Sequence, residues 1–100
     1  MDFFAPYMEQ IAELCRKHKV RSLHAFGSAV KGTIGPQSDV DLVVDIPIDD
    51  PFEFTRHYWA LEEALKNIFR RPVDLLSMRA IRNKHFKQLI DREKTTIYEA

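Results

Sequence analysis

The apolar residues near the start of the chain recur at helical spacing. They predict an amphipathic helix from about Pro6 to His18, with proline in the first turn, where its missing N–H is not needed. A short strand with one buried face is expected next, from Arg21 to Phe26, and it should end at Gly27. The apolar set of the helix is Phe4, Met8, Ile11, Leu14 and Cys15.

Glycine and proline separate this strand from the next one. The stretch Lys31–Ser38 holds Gly32, Gly35 and Pro36, and such a group of residues that interrupt helices and strands predicts a loop. The run Val40–Val44 follows directly. Its β-branched residues favour extended backbone, so it is the strongest strand candidate in the sequence.

A long helix is predicted in the middle of the chain. Asp50 and Glu53 flank Pro51 in a variant of the capping box, so the helix should begin at Pro51. It should end at Arg70-Arg71-Pro72, because proline cannot continue a helix. The residues of its apolar stripe are Phe54, Tyr58, Leu61, Leu65 and Phe69.

The remaining sequence predicts a strand, a helix and an edge strand. Val73–Leu76 is the strand, Ser77 is the expected cap of the final helix, and Thr95–Tyr98 is the edge strand. The expected core face of that helix is Met78, Ile81, Phe86, Leu89 and Ile90. The order α-β-β-α-β-α predicts an α+β fold, in which helices pack on a small sheet.

Composition limits the class of protein. The chain has 100 residues, 45% of them hydrophobic, and 15 basic residues balance 15 acidic ones. We therefore expect residues 1–100 to form a single domain without stable nucleic-acid binding, which depends on many contacts between basic residues and phosphates. Cys15 is typical of a core residue in a reducing compartment, and we find neither a signal-peptide pattern nor an apolar run of membrane length. A cytoplasmic protein without membrane contact is expected.

Acidic residues on two predicted strands form the first candidate site. Because alternate side chains of a strand share a face, Asp39 and Asp41 should project away from the core. Two neighbouring carboxylates repel each other, which favours a bound proton or a metal, and Mg²⁺ prefers oxygen ligands. Asp74 interrupts an otherwise apolar strand, where a charge is costly unless it is paired or exposed. If the two strands pair about 4.8 Å apart, three carboxylates converge.

A second candidate site lies where the first strand ends. Gly27 and Ser28 can begin a helical turn whose free N–H groups suit a phosphate, and glycine lets the backbone approach closely. Ser28 would add a hydroxyl donor. Lys31, one turn later, is either a further phosphate ligand or a surface lysine. A phosphate site beside a metal site is the arrangement that phosphoryl-group transfer requires.

These residues resemble a known family. Gly27-Ser28, ten further residues, Asp39-Val40-Asp41 and then Asp74 on a later strand are similar to the signature of the minimal nucleotidyltransferases of the DNA polymerase β superfamily. The chain looks most like the MntA-type antitoxins that accompany HEPN-domain toxins. The resemblance extends from the first helix to Ile97-Tyr98-Glu99, and it implies the polymerase β-like nucleotidyltransferase fold with a small mixed β-sheet.

The resemblance also implies a role for each residue. Gly27 and Ser28 would hold the β- and γ-phosphates of ATP, the nucleotide donor. Asp39 and Asp41 would bind two Mg²⁺ ions. Asp74 would bind one of these ions and help to deprotonate the acceptor hydroxyl. In antitoxin members the acceptor is a tyrosine of the HEPN-type toxin partner, whose ribonuclease activity the added AMP blocks. A protein adenylyltransferase that acts as an antitoxin is therefore expected.

One departure from the family pattern leaves alternatives open. Many relatives have arginine at the positions of Ala29 and Lys31, and lysine does not replace the bidentate phosphate contact of arginine. A non-catalytic module that silences its partner by occlusion is one alternative. An enzyme acting on a small molecule or an RNA end is another. We expect no helical second domain of the kind that larger relatives have, so specificity would come from a partner.

Other polar and aromatic residues carry weaker expectations. Asp45 shares a strand face with Asp41, but its place before Pro47 favours solvent exposure. The histidines lack metal-ligand spacing, which argues against a zinc site. Trp59 is expected at the boundary of the core, and it would mark a partner surface if it were exposed.

Overall fold

The computed structural model describes residues 3–27, 30, 34–35 and 38–100. The elements of these residues confirm the predicted order and the α+β class. In chain order they are α1 (Met8–Lys17), β1 (Ser22–Phe26), β2 (Val40–Asp45), α2 (Pro51–Phe69), β3 (Val73–Ser77), α3 (Lys84–Glu93) and β4 (Thr95–Glu99). Single turns of 3-10 helix precede α1, at Ala5–Tyr7, and follow β3, at Met78–Ala80.

The four strands form one mixed sheet in the order β3-β2-β1-β4. β1 runs antiparallel to both of its neighbours, whereas β2 and β3 are parallel. A parallel pair needs a long crossover connection, and α2 supplies it. β4 pairs only with β1 in this order, so the expected edge strand lies at an edge of the sheet. The α2 crossover thus sets the β2–β3 pairing on which the candidate site depends.

The main core lies between one face of the sheet and the helices α1 and α2. Alternation along β2 points Val40, Leu42 and Val44 into it, and all three are 0% exposed. Burial of an aliphatic side chain of this size contributes about 1.5–3 kcal/mol. The helices meet the strands with Ile11 and Cys15 of α1 and with Leu61, Leu65 and Phe69 of α2.

The opposite face of the sheet is partly covered by α3. Phe26 on β1 and Phe86 on α3 meet edge to face, with ring centroids 6.2 Å apart. Val43 of β2 and Ile90 of α3 are buried as well, although both lie outside the main core cluster. The face of β2 that carries Asp41 is therefore apolar and buried at Val43.

The ends of α2 follow from local chemistry. Asp50 caps the first turn, since its Oδ1 accepts a hydrogen bond from the Phe52 amide at 3.2 Å. Glu53 does not complete the expected capping box, because its carboxylate pairs with Arg56 in the next turn. At the other end Arg70 adopts the left-handed conformation, with φ of 56°, and the helix stops ahead of the proline as predicted.

The start of the last helix was predicted wrongly. Ser77 precedes only the short 3-10 turn, and its side chain makes no capping hydrogen bond. Asn83 is the actual cap of α3, because its Oδ1 accepts from the Phe86 amide at 3.0 Å. The expected core face is also only partly correct, since Leu89 is 41% exposed while Ile90 is buried. Met78 lies in the 3-10 turn and Ile81 lies between that turn and α3, so neither residue belongs to this helix.

Cys15 is a core residue, as expected. Its thiol is fully buried, and burial raises the pKa to about 12 although Arg16 opposes the shift. A buried thiol with this pKa stays protonated at neutral pH and behaves as a small apolar group. Among the described residues, no helix combines the length and the apolar character needed to cross a lipid bilayer.

Two histidines are buried in the fold. His18, at the end of α1, contacts His57 of α2 with the two Nδ1 atoms 3.1 Å apart. Such a contact needs one proton between the two rings, so a second proton would break it. His24 of β1 lies 3.1 Å from the hydroxyl of Thr96. Burial lowers the pKa of His18, and the positive charges of His57, Lys17 and Arg56 lower it further.

We predict that the contribution of His18 to stability decreases as the pH is lowered from about 7 to about 5. The unfolded chain takes up a proton at His18 near its ordinary pKa of 6.5, whereas the folded protein does so only at lower pH. At His18 the folded form therefore binds fewer protons in this interval, and this residue favours unfolding in acid. Urea midpoints measured across the interval should depend less steeply on pH in His18→Gln than in the wild type.

The matched control for this experiment is His85→Gln, which changes an exposed histidine at the start of α3. It should keep the wild-type dependence on pH. Identical slopes for the wild type and His18→Gln would show that His18 does not link folding to protonation.

Candidate active site

Parallel pairing of β2 with β3 brings together the predicted acidic residues. Asp41 and Asp74 are direct partners in the register, which places their α-carbons about 4.8 Å apart across the two strands. Asp39 lies two positions before Asp41, at the entrance to β2, and therefore on the same face. All three predicted acidic residues thus occupy one end of the β2–β3 pair.

The three carboxylates differ in burial. Asp39 and Asp74 are exposed, whereas Asp41 is half-buried between them. Burial raises the pKa of the Asp41 carboxyl, and the negative charges of Asp74 and Asp39 raise it further. Because the negative form of Asp41 is disfavoured, a nearby cation would be strongly stabilised here.

Gly27 lies directly against the acidic residues. It follows β1, and the last residue of that strand, Phe26, is the register partner of Asp41. Gly27 has φ of +76°, and a Cβ built on it would lie 2.5 Å from Oδ2 of Asp41. Its carbonyl accepts a hydrogen bond from the Val30 amide at 3.1 Å, so a turn begins here as predicted. Only glycine combines this backbone conformation with this close approach to a carboxylate.

The remaining predicted nucleotide ligands, Ser28 and Lys31, lie outside the described residues, as does Ala29. Their roles therefore stay predictions. Of the predicted phosphate-binding residues, the described part of the chain includes Gly27.

The donor set fits a hard divalent cation. Carboxylate oxygens are the ligands that Mg²⁺ prefers, and mutual repulsion raises the affinity of such a group for positive charge. Within the described residues, no three or more His, Cys, Asp or Glu side chains are grouped so that they could hold a metal ion together. Mg²⁺ commonly takes only one or two protein carboxylates and completes its shell with water and substrate phosphates. The acidic residues are therefore suited to hold Mg²⁺ together with a nucleotide.

Asp45 was expected to be exposed, and that expectation is wrong. Its side chain is only 13% exposed, and its Oδ2 accepts a hydrogen bond from Nε of Arg21 at 2.7 Å. Asp45 is the last residue of β2, so it lies at the opposite end of the strand from Asp39. It belongs to a surface ion pair and not to the acidic site.

Arg71 contributes to the site although its position in the sequence indicated only the signal that stops α2. Its guanidinium reaches back to the connection between β1 and β2, where Nη1 donates to the carbonyl of Gly35 at 2.7 Å. A basic residue two positions before an acid-bearing strand was the available signal, but only the tertiary contact reveals its direction.

The site and the fold together define a class of protein: an α+β domain whose mixed sheet presents acidic residues from two parallel strands beside a glycine turn. The family described as the nucleotidyltransferase domain matches residues 7–98, so this chain belongs to that family. A relative from Methanocaldococcus jannaschii, named "putative protein adenylyltransferase", is 31% identical over 94 residues, with 86% of this chain and 93% of the relative covered.

Solved structures share the fold. One is a crystal structure of a toxin–antitoxin with AMP-PNP, with a TM-score of 0.72 and 23% identity over 93% of this chain and 73% of the other. Another contains a tri-AMPylated HEPN toxin of Shewanella oneidensis in complex with an MNT antitoxin. Its TM-score is 0.65, with 19% identity over 95% of this chain and 71% of the other. Structural neighbours of this chain are thus toxin–antitoxin complexes, as the sequence resemblance implied.

We predict that Gly27→Ala disturbs the acidic site. The new methyl group would displace the Asp41 carboxylate, and the left-handed backbone would cost about 1–2 kcal/mol. Urea unfolding should show this loss of stability. Affinity for Mn²⁺, a paramagnetic substitute for Mg²⁺, should fall about tenfold when measured by electron paramagnetic resonance.

Gly35→Ala is the matched control, because its added Cβ would lie 3.7 Å from the Ser38 hydroxyl, an ordinary contact. It should change both quantities little. Wild-type Mn²⁺ affinity in Gly27→Ala would contradict the close packing of Gly27 on Asp41.

Proposed function

We propose that this chain is a Mg²⁺-dependent adenylyltransferase that transfers AMP from ATP to a tyrosine hydroxyl of a HEPN-type toxin, and that it thereby acts as the antitoxin. The observation that carries the proposal is the register pairing of Asp41 with Asp74, with Asp39 at the same end and the Gly27 turn against Asp41. Membership of the nucleotidyltransferase family supports the reaction class.

The burial of each carboxylate suits a different task. Asp41 is half-buried, so it is the group best placed to hold a cation firmly. Asp39 and Asp74 are exposed on either side of it, where a nucleotide and an acceptor can reach them. In this proposal Asp39 and Asp41 would hold two Mg²⁺ ions, and Asp74 would help to hold one of them.

The chain positions the reactants and moves one proton. Gly27, with Ser28 and Lys31, binds the β- and γ-phosphates of ATP and so orients the α-phosphorus toward Asp74. Asp74 accepts the proton of the tyrosine hydroxyl as its oxygen bonds to the α-phosphorus, and the bond to the bridging oxygen of pyrophosphate breaks. Bound Mg²⁺ supplies neutralisation of the negative charge that develops on the phosphate oxygens. The products are an AMP–tyrosine ester and pyrophosphate.

The comparisons support the acceptor and the partner. A relative with 31% identity has adenylyltransferase in its name, and a structural neighbour pairs an MNT antitoxin with an AMPylated HEPN toxin. A protein acceptor is also consistent with the balanced charge of the chain, which does not favour RNA.

We predict that Asp39→Asn/Asp41→Asn abolishes transfer of label from α-labelled ATP to a HEPN-type toxin from the same genome. The double variant loses two of the three negative charges that would hold Mg²⁺. Chelation of divalent metal by EDTA should stop transfer by the wild type in the same way. Scintillation counting and intact mass of the toxin measure the result.

Asp45→Asn is the matched control, since it changes an aspartate of the same strand that lies outside the site. It removes one surface ion pair, worth about 0–1 kcal/mol, and should leave transfer intact. The occlusion alternative, motivated by Ala29, predicts neutralisation of the toxin by the double variant and an unchanged toxin mass. Label in RNA or in a small molecule would show that the acceptor is assigned wrongly.

The outer face of α2 is the candidate surface for the toxin. Phe52 is 87% exposed and Trp59 is 66% exposed, so Trp59 meets the condition under which it would mark a partner surface. The two residues lie seven positions apart, which is about two helical turns, and therefore share one face. Large exposed aromatic side chains are the residues that contribute most often to binding at protein interfaces.

We predict that Phe52→Ala/Trp59→Ala weakens toxin binding at least about thirtyfold, the effect of losing an interface residue worth about 2 kcal/mol. Isothermal titration of the toxin into the chain measures this. Leu89→Ala, which removes an exposed apolar residue of α3, is the control and should bind like the wild type. Unchanged binding by the double variant would exclude this face of α2 as the interface.

A further inference from the structure

Arg71 joins two parts of the chain that carry the acidic site. It lies between α2 and β3, two positions before the start of that strand. Its Nη1 donates to the carbonyl of Gly35 at 2.7 Å and lies 3.5 Å from the carbonyl of Ser38. The Ser38 carbonyl belongs to the peptide bond with Asp39. The guanidinium therefore contacts the backbone immediately ahead of a predicted metal ligand.

A second backbone contact lies directly after Asp39 in the chain. The amide of Val40 donates to the carbonyl of Pro72 at 3.0 Å, and Pro72 directly follows Arg71. Asp39 thus lies between two points at which its chain is attached to Arg71-Pro72. Asp39 itself is exposed and makes no hydrogen bond within the described residues. Its position is consequently set by these backbone attachments.

Two hydrogen bonds join Gly35 and Ser38, ahead of Asp39 in the chain. The Ser38 amide donates to the Gly35 carbonyl at 3.1 Å, and the Gly35 amide donates to the Ser38 hydroxyl at 3.0 Å. Arg71 therefore contacts two residues that are also bonded to each other, so its contact adds to the hydrogen bonds that hold the chain leading into Asp39.

The guanidinium of Arg71 also packs against an aromatic ring. Its central carbon lies 5.0 Å from the ring centroid of Phe3, and that ring packs on Phe69 with centroids 5.5 Å apart. The Nε of Arg71 is buried and has no hydrogen-bond partner in the described part of the chain. A buried N–H without a partner lowers stability. The presence of an arginine here is therefore better explained by the backbone carbonyls that its Nη1 contacts than by a contribution of the side chain to stability.

We infer that Arg71 is a positioning residue: it fixes the backbone ahead of Asp39 to the strand that carries Asp74, and so sets the separation of the two outer carboxylates. This inference rests on the proposed function, because the positioned carboxylates are the proposed metal ligands. The planar guanidinium can direct N–H groups to two carbonyls at once, which a lysine ammonium does less well.

The experiment compares Arg71→Gln and Arg71→Lys with Arg70→Gln. The last variant removes the same charge from the neighbouring exposed residue and is the matched control. Leu14→Ala, in the packing between helix and core, serves as a variant that is destabilised elsewhere. For each protein, amide hydrogen exchange at residues 38–42 and Mn²⁺ affinity by electron paramagnetic resonance are measured, together with the urea midpoint.

Arg71→Gln should accelerate exchange of the Val40 amide by about tenfold or more, the factor expected when a hydrogen bond from a charged donor is lost. Its Mn²⁺ affinity should fall at least about tenfold, as for other groups that orient a metal ligand. Arg71→Lys should lie between Arg71→Gln and the wild type. Arg70→Gln and Leu14→Ala should keep the wild-type Mn²⁺ affinity.

Two results would overturn the inference: unchanged exchange at residues 38–42 in Arg71→Gln, or faster exchange with wild-type Mn²⁺ affinity. A fall in Mn²⁺ affinity in Leu14→Ala as large as in Arg71→Gln would also reduce Arg71 to a structural role. If the wild type bound no Mn²⁺, the proposed function would fail. Exchange at Val40 alone would then decide whether Arg71 holds this backbone.

Discussion

Repulsion between carboxylates on neighbouring strands is the constraint around which this domain is organised. The β-sheet register holds Asp41 and Asp74 side by side. The half-burial of Asp41 raises the pKa of its carboxyl, and the negative charges of Asp74 and Asp39 raise it further. The core on the other face of the same strands provides the stability that tolerates this charge. Val40 and Leu42 alternate with Asp41 along β2, so the residues that stabilise the sheet also direct the acidic side chain outward.

Much of the fold could be predicted because its signals are local. β-branched residues marked β2, and Asp50 with Pro51 marked the start of α2. The final helix was placed wrongly because Ser77 and Asn83 are both plausible caps, and only packing decides between them. The intervening 3-10 turn follows a strand that continues to Ser77, and no periodicity in the sequence distinguishes that turn from the beginning of a helix.

The residue types of the candidate site could be predicted from the sequence, but the contacts that hold these residues in place could not. Spacing within a strand indicated that Asp39 and Asp41 share a face, whereas their nearness to Asp74 depended on a strand pairing that the sequence could only suggest. Arg71 could not be found in this way, since its partners are backbone carbonyls 33 and 36 residues away in the sequence. Asp45 was misjudged for a similar reason, because its partner Arg21 lies 24 residues away in the sequence, directly before the neighbouring strand β1.

Cys15 gives the protein a property unrelated to the proposed reaction. The chain has one cysteine, and its thiol lies fully buried in α1 against the sheet, with a pKa raised to about 12. Alkylating reagents attack the thiolate, so they can modify this residue only when the helix detaches from the strands and water reaches the sulfur. The rate of modification at a single atom therefore reports how often the α1 side of the molecule opens.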